Sequence, residues 1–182
     1  GLVDLVERDF FPAAPDEIWF GDITYVYTRT GWVFLATVID GCTRMMVGWA
    51  VADHMRTDLV ADALKMAIAS RNTGVGHTIF HSDRGCQYTS YEFRDLCLAN
   101  GIIPSVGKTG ICYDNSGSES FNATYKKELI YLHVWEGLAQ VRAATFEYIE
   151  IYYNRMRKHS QIGMITPVEC ARRFDELGPG AA

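Results

Sequence analysis

The chain has 182 residues, 48% of them hydrophobic, 13% aromatic and 21% charged, with a formal net charge of −5. This composition suits one globular domain with enough apolar mass for a core, and no apolar run reaches the ~18–20 uncharged residues of a membrane span. The N-terminus GLVDLVERDF lacks the basic and apolar regions of a secretion signal, and five scattered cysteines form neither a disulfide framework nor a CxxC knuckle, so a reducing, cytoplasmic setting is expected.

Residues 18–27 (IWFGDITYVY), 32–39 (WVFLATVI) and 44–52 (RMMVGWAVA) are rich in β-branched and aromatic residues and are separated by short turns, Thr28 to Gly31 and Asp40-Gly41. They read as an antiparallel meander. After Thr57, apolar residues at Leu59, Val60, Ala63, Leu64, Ala67 and Ile68 recur with the period of a helix that buries one face and ends near Arg71-Asn72. A glycine-bearing turn, Thr73 to Gly76, leads to a short buried strand, HTIFH at 77–81. Thr89 and Glu92 then match a capping box opening a helix that Gly101 closes.

The segment IIPSV at 102–106 makes a further strand, and the loop 107–117 (GKTGICYDNSG) is dense in turn formers. Two helices follow, about 118–132 and 136–155, the second carrying Leu138, Val141, Thr145, Tyr148, Ile149 and Tyr152 on one stripe. The four tryptophans are expected in the core. The order predicts an α/β domain whose mixed five-stranded sheet has three antiparallel strands, then parallel ones, and is flanked by helices. Ligand sites in such domains gather at strand ends.

Three carboxylates occupy such places. Asp22 lies inside the first strand, where a lone charge costs several kcal/mol unless it is paired, metal-bound or on a wet face. Asp83 directly follows HTIFH and is either a site residue or a turn former ahead of Gly85. Glu119 opens the helix after the long loop, and Ser116 with Glu119 also matches a purely structural capping box. Lys126, seven positions past Glu119, projects from the same helix face, with Asn115 and Asn122 flanking that stripe; it is otherwise a solvated surface lysine. Phe121, Tyr125, Leu129 and Leu132 form a second stripe that suits a core. His81 is either a satisfied strand histidine or a group supporting the site.

Net acidity alone argues against a densely anionic partner, but the charge is uneven. Residues 1–100 carry 8 Lys and Arg against 13 Asp and Glu, whereas residues 101–182 carry 9 of each. The dense basic cluster, Arg155, Arg157, Lys158 and His159, directly follows Tyr152 and Tyr153. Cations beside aromatic faces suit a nucleic-acid strand, and cations at a helix C-terminus suit the helix dipole.

The runs WFGDITYV, HSDRGCQYTS, DNSGSESFNATYKKEL and YNRMRKHSQIGMITPVE resemble, in order and spacing, the catalytic core of bacterial insertion-sequence transposases of the IS-three family, relatives of the retroviral integrase core. The likeness runs from about Val6 to Phe174, with 35 residues between Asp83 and Glu119. It implies a ribonuclease H-like fold and a D,D-35-E site of Asp22, Asp83 and Glu119. That site is expected to hold Mg²⁺ or Mn²⁺, two ions with substrate DNA bound, and to catalyse DNA strand cleavage and strand transfer. The resemblance makes Lys126 a contact to terminal DNA, and Asn115, Asn122, Arg155, Arg157 and Lys158 are further candidates for DNA binding.

Expected partners are transposon-end and target DNA and further copies of the chain in the active complex, with no membrane; the expected setting is the bacterial, nucleoid-associated cytoplasm. Cys86, Gly117-Ser118 and Tyr125 depart from the usual pattern, where serine, an apolar-alanine pair and leucine are commoner. Family members carry a helix-turn-helix segment upstream, and nothing here resembles it. Residues 1–182 are therefore expected to be a single core domain, about 6–174, without its upstream DNA-binding domain. The alternatives are a domesticated or inactive domain that only binds DNA or assembles, and a ribonuclease H-type hydrolase.

Overall fold

In the computed structural model, which describes residues 2–6, 11–71, 77–107 and 116–177, the meander forms where the sequence pattern places it. β1 (Ile18–Thr28) pairs antiparallel with β2 (Gly31–Asp40), which pairs antiparallel with β3 (Met46–Ala52). α1 (Thr57–Arg71) then crosses to β4 (Ile79–Ser82), and α3 (Tyr91–Ala99) crosses to β5 (Ile103–Val106). The sheet order is β3-β2-β1-β4-β5, with β4 parallel to β1 and β5 parallel to β4. β1 is therefore central.

Alternation along β2 sorts side chains onto two faces. Ala36 and Val38 join Trp19, the α1 residues Leu59, Val60, Ala63, Leu64 and Ala67, and Phe93 and Cys97 of α3. Val33, Leu35 and Ile39 point the other way, onto Phe121 and Tyr125 of α4 (Ser116–Glu128) and Val141 of α5 (Leu138–Phe146). Beyond α5 the chain continues as a π-helical segment, Glu147–Tyr153, that adds Tyr148, Ile149 and Tyr153 to this layer. Asn154 follows it and brackets the edge strand β3, its Nδ2 donating to the Met46 carbonyl (3.0 Å) and its Oδ1 accepting from the Met46 amide (2.9 Å).

Several boundaries differ from the sequence expectation. β3 begins at Met46 because Arg44 takes a left-handed conformation (φ 61°) in a turn built around Asp40. That fully buried carboxylate accepts from the Thr43 amide (2.8 Å), the Thr43 hydroxyl (2.5 Å) and the Asp16 amide (2.8 Å), and burial raises its pKa. Cys86–Thr89 is itself a helical turn, α2, so the cap of α3 is Ser90 rather than Thr89; the Ser90 hydroxyl accepts from the Phe93 amide (3.2 Å).

Gly101 (φ 69°) ends α3 as expected. The helix read as 118–132 is α4 plus a 3₁₀ turn, Ile130–Leu132. A final helix, α6 (Pro167–Leu177), was not anticipated; the Thr166 hydroxyl caps it by accepting from the Glu169 amide (3.2 Å). Trp19 and Trp135 are buried, but Trp49 is only partly so and Trp32 is 50% exposed, contrary to their expected place in the core. The turn 73–76 lies outside the described residues.

Close approach of α1 to the sheet depends on Gly48. A Cβ there would strike the Ala63 carbonyl oxygen and lie 2.7 Å from the Ala67 amide nitrogen, both backbone atoms that cannot step aside. Gly48→Ala is expected to lower stability by about 1–3 kcal/mol in urea unfolding. Wild-type stability in that variant would show that α1 is not seated this tightly.

Candidate active site

The site is built from the register of two parallel strands. Phe20 of β1 pairs with His81 of β4, so Asp22, within β1, and Asp83, just past the end of β4, each two residues further on, stand at the same level. Gly21 keeps this pairing close, because the Phe80 ring occupies the space a side chain would need. β4 ends at Ser82, and Asp83 turns the chain: its Oδ1 accepts from the Gly85 amide (2.9 Å). His81 is a buried strand histidine with its Nδ1 2.9 Å from the Ser105 hydroxyl of β5, one of the two roles the sequence left open.

Glu119 arrives from α4. Asn122, one turn further along that helix, donates from Nδ2 to Asp22 Oδ2 (2.7 Å), tying α4 to β1, while Asp22 Oδ1 accepts from the Ile23 amide (2.8 Å). Residues three apart share a helix face, so Glu119 lies on the side of α4 that meets Asp22. Glu119 and Asp83 are both exposed, whereas Asp22 is largely enclosed. The structural capping box for Glu119 involves the Ser116 side chain, which, with Asn115, lies outside the described residues.

Burial pushes the Asp22 pKa from 3.8 up to about 6, and the negative charges of Asp83 and Glu119 add to that rise against the opposing hydrogen bonds from Ile23 and Asn122. Asp83 and Glu119 thus both act electrostatically on Asp22. The three carboxylates are not clasped together: among the described residues no three His, Cys, Asp or Glu side chains form a ready-made metal cage. Their donor chemistry is all hard oxygen, which fits Mg²⁺ or Mn²⁺ rather than a thiophilic ion. Asn122 Oδ1 beside them is buried and has no hydrogen-bond partner.

The remaining candidates scatter. Lys126 Nζ lies 4.4 Å from the centroid of the Tyr25 ring and lines a cavity of about 360 Å³ with Tyr27, Trp32, Tyr131 and His133. Asn122 donates its amide to Asp22. Arg157 is held by Glu128 in a two-pronged ion pair, Nε to Oε1 3.0 Å and Nη2 to Oε1 2.9 Å, and Tyr148 donates to the same carboxylate (2.7 Å). Arg155, whose Nε donates to the Glu150 carbonyl (3.1 Å), and Lys158 are exposed. Sequence reasoning missed Tyr88, which is buried against the site; its place in HSDRGCQYTS, five residues after Asp83, was the available signal.

Residues 12–112, more than half of the chain, match a family model described as Integrase core domain, and residues 100–167 match a second model of the same description. The chain is 37% identical over 174 residues to the 31 kDa protein of insertion element IS600 from Shigella sonnei, a match covering 96% of this chain and 64% of that protein. To the transposase InsF for insertion sequence IS3A of Escherichia coli (strain K12) it is 39% identical over 164 residues, 90% of this chain and 57% of InsF. It thus spans about three-fifths of the length of these relatives.

Among solved structures, the HTLV-2 integrase catalytic core domain in complex with magnesium superposes with a TM-score of 0.60 at 17% identity, covering 87% of this chain and 98% of that one. A chain of the simian T-cell lymphotropic virus intasome in complex with PP2A regulatory subunit B56 gamma gives 0.69 at 17% identity, covering 94% of this chain and 58% of that one. The fold is the ribonuclease H-like one of retroviral integrase cores, as expected.

Two outcomes follow from the electrostatics. Asp22 holds its proton more tightly in the folded chain than in the unfolded one. The stability of the protonated form is therefore present below pH ~4 and lost as pH rises through about 6. Asp22→Asn should raise stability by about 2 kcal/mol at pH 7.5, with the gain vanishing near pH 4, in urea unfolding at both values; a pH-independent difference would contradict burial of this charge. Arg157→Ala should lose about 1 kcal/mol, while the Arg155→Ala, Lys158→Ala double variant stays within about 0.5 kcal/mol of wild type. Equal losses in the two proteins would remove the structural role of the Arg157–Glu128 pair.

Proposed function

The chain belongs to the integrase core domain family, and from that premise we propose that it is the catalytic domain of a bacterial insertion-sequence transposase, cutting DNA and joining the freed 3′ end to target DNA by metal-dependent transesterification. The observation that carries this reading is the convergence on Asp22: the β1–β4 register sets Asp83 level with it, and Asn122, one turn from Glu119 on α4, donates to its carboxylate (2.7 Å), while burial and the charges of Asp83 and Glu119 raise its pKa. A strand carboxylate whose ionised form is disfavoured by burial and by two neighbouring carboxylates is poorly explained as a fold-stabilising group, and the three together need another account. They are well explained as ligands.

In this reading Asp22, Asp83 and Glu119 hold Mg²⁺ or Mn²⁺, which when bound in a pair activates the attacking oxygen and stabilises the leaving oxygen of an in-line displacement at phosphorus. Asn122 fixes the Asp22 carboxylate through its Nδ2 donor, and the Gly85 amide fixes Asp83. Lys126, on the helix that carries Glu119, supplies a cation to the terminal DNA, and the exposed rings of Tyr27 and Trp32 beside it offer faces to unstacked bases. Arg155 and Lys158 add phosphate contacts away from this edge. The chain acts in the cytoplasm with bacterial DNA and further copies of itself in the active complex, and sequence-specific recognition of transposon ends belongs to an upstream domain. No described helix is long and apolar enough to cross a membrane.

The test is strand cleavage and strand transfer on a labelled duplex carrying the element's ends, with Mg²⁺ or Mn²⁺. Asp22→Asn, Asp83→Asn and Glu119→Gln should each fall to background while remaining folded. Lys126→Ala should weaken cleavage and transfer with a stability change within about 1 kcal/mol, the worth of its contact with Tyr25. Activity retained by Glu119→Gln, or cleavage of an RNA–DNA hybrid in preference to duplex DNA, contradicts the transposase reading. A wild-type chain that binds DNA but cuts neither substrate points to the domesticated, non-catalytic alternative.

A further inference from the structure

Tyr88 sits on α2, the single helical turn that follows Asp83, and is 3% exposed. Its ring is wedged into the apolar layer beneath the sheet, with centroids 5.8 Å from Phe80 and 5.4 Å from Phe93. For that packing a phenylalanine would serve as well. The hydroxyl, however, is fully buried and has no hydrogen-bond partner among the described residues. Buried hydroxyls are nearly always bonded, because leaving one unmade sacrifices its hydration for nothing. The neighbouring buried phenol Tyr125 obeys this rule, its hydroxyl 2.6 Å from that of Thr145.

The surroundings of the orphan hydroxyl are specific. A Cβ at Gly85 would lie 3.0 Å from Asp83 Oδ1 and 3.7 Å from Cδ2 of the Tyr88 ring, so the ring stands against the Asp83 turn. The Phe80 ring it packs on fills the space at Gly21, next to Asp22. In keeping with that placement, the negative charges of Asp22 and Asp83 add to burial in raising the phenol's pKa. Asp22 is already held by two donors, Asn122 Nδ2 and the Ile23 amide, and Asp83 by the Gly85 amide. Each also has acceptor capacity beyond those bonds.

We infer that Tyr88 is a positioning residue whose O–H donates to a carboxylate oxygen of Asp22 or Asp83 when the two are drawn together on a divalent cation. This rests on the metal-ligand reading of those carboxylates given above. The rigid packing of the ring against Phe80 and Phe93 makes the donor's position independent of the exposed Asp83 loop. Ligating carboxylates held by such outer partners keep their orientation, and loss of a partner typically weakens metal affinity ~10–100-fold.

The experiment compares the chain with its Tyr88→Phe and Asp22→Asn variants, titrating Mn²⁺ by electron paramagnetic resonance of the free ion and recording thermal melting with and without Mn²⁺. Tyr88→Phe should melt at or above the wild-type temperature without metal, since it deletes an unsatisfied group. Its Mn²⁺ dissociation constant should nevertheless rise about tenfold or more, with a smaller Mn²⁺-induced rise in melting temperature. Unchanged Mn²⁺ affinity in Tyr88→Phe, whatever its melting temperature, overturns the inference. If Asp22→Asn abolishes binding while Tyr88→Phe does not, Tyr88 alone loses its role. If Asp22→Asn binds Mn²⁺ like wild type, the carboxylate reading fails and the role of Tyr88 falls with it.

Discussion

The parallel pairing of β1 with β4 is the constraint on which the rest of the site depends. Only three residue pairs are made, Ile18 with Ile79, Trp19 with Phe80 and Phe20 with His81. They set Asp22 and Asp83 level with each other, although sixty residues of chain lie between them. A one-residue slip would turn one carboxylate to the opposite face of the sheet. Gly21 and Phe80 protect that register sterically: the ring fills the place of the missing side chain. Beyond Phe20, β1 runs on past the end of β4, which leaves Asp22 reachable from the side where α4 lies.

Positioning of Glu119 is a packing problem solved by aromatic mass. Phe121 and Tyr125 of α4 stack with centroids 5.7 Å apart, and Phe121 meets the Tyr153 ring edge-on at 4.9 Å. Tyr125 is larger than the leucine usual at this place. The structure accommodates it by giving its hydroxyl a partner in Thr145 of α5. The Arg157–Glu128–Tyr148 group closes the same layer at the end of α4. The helix that presents Glu119 is thereby anchored along its later turns, and its first turn meets β1 through Asn122.

The charge distribution acquires meaning only in this frame. An acidic chain is a poor general polyanion binder, and one of its basic residues is spent internally, since Arg157 neutralises Glu128. Lys126 keeps its ammonium over the Tyr25 ring at the open side of β1, where attraction to an aromatic face and attraction to a phosphate can alternate. The acidity concentrated at Asp22, Asp83 and Glu119 repels DNA unless a cation intervenes. Metal binding and DNA binding are therefore coupled by simple electrostatics in the proposed function.

By itself the sequence determined the local elements and the chemistry on offer. The strand runs, the glycine stop at Gly101 and the one-sided stripe of α1 are set by neighbours a few residues apart, and the ordered motifs around Asp22, Asp83 and Glu119 identified the family. It did not disclose α6, whose signal is a short Thr-Pro start on a largely polar segment, or the cap at Ser90, which competed with an equally plausible Thr89. Tertiary structure alone decided what depends on partners distant in sequence. It placed β1 between β2 and β4, brought Asn122 onto Asp22, and committed Arg157 to Glu128, 29 residues away. It also buried the Tyr88 hydroxyl without a partner, within the field of Asp22 and Asp83. The reason is physical: periodicity and turn chemistry act over one or two turns of chain, whereas desolvation, ion pairing and ring packing act through space, between residues that only the closed sheet brings together.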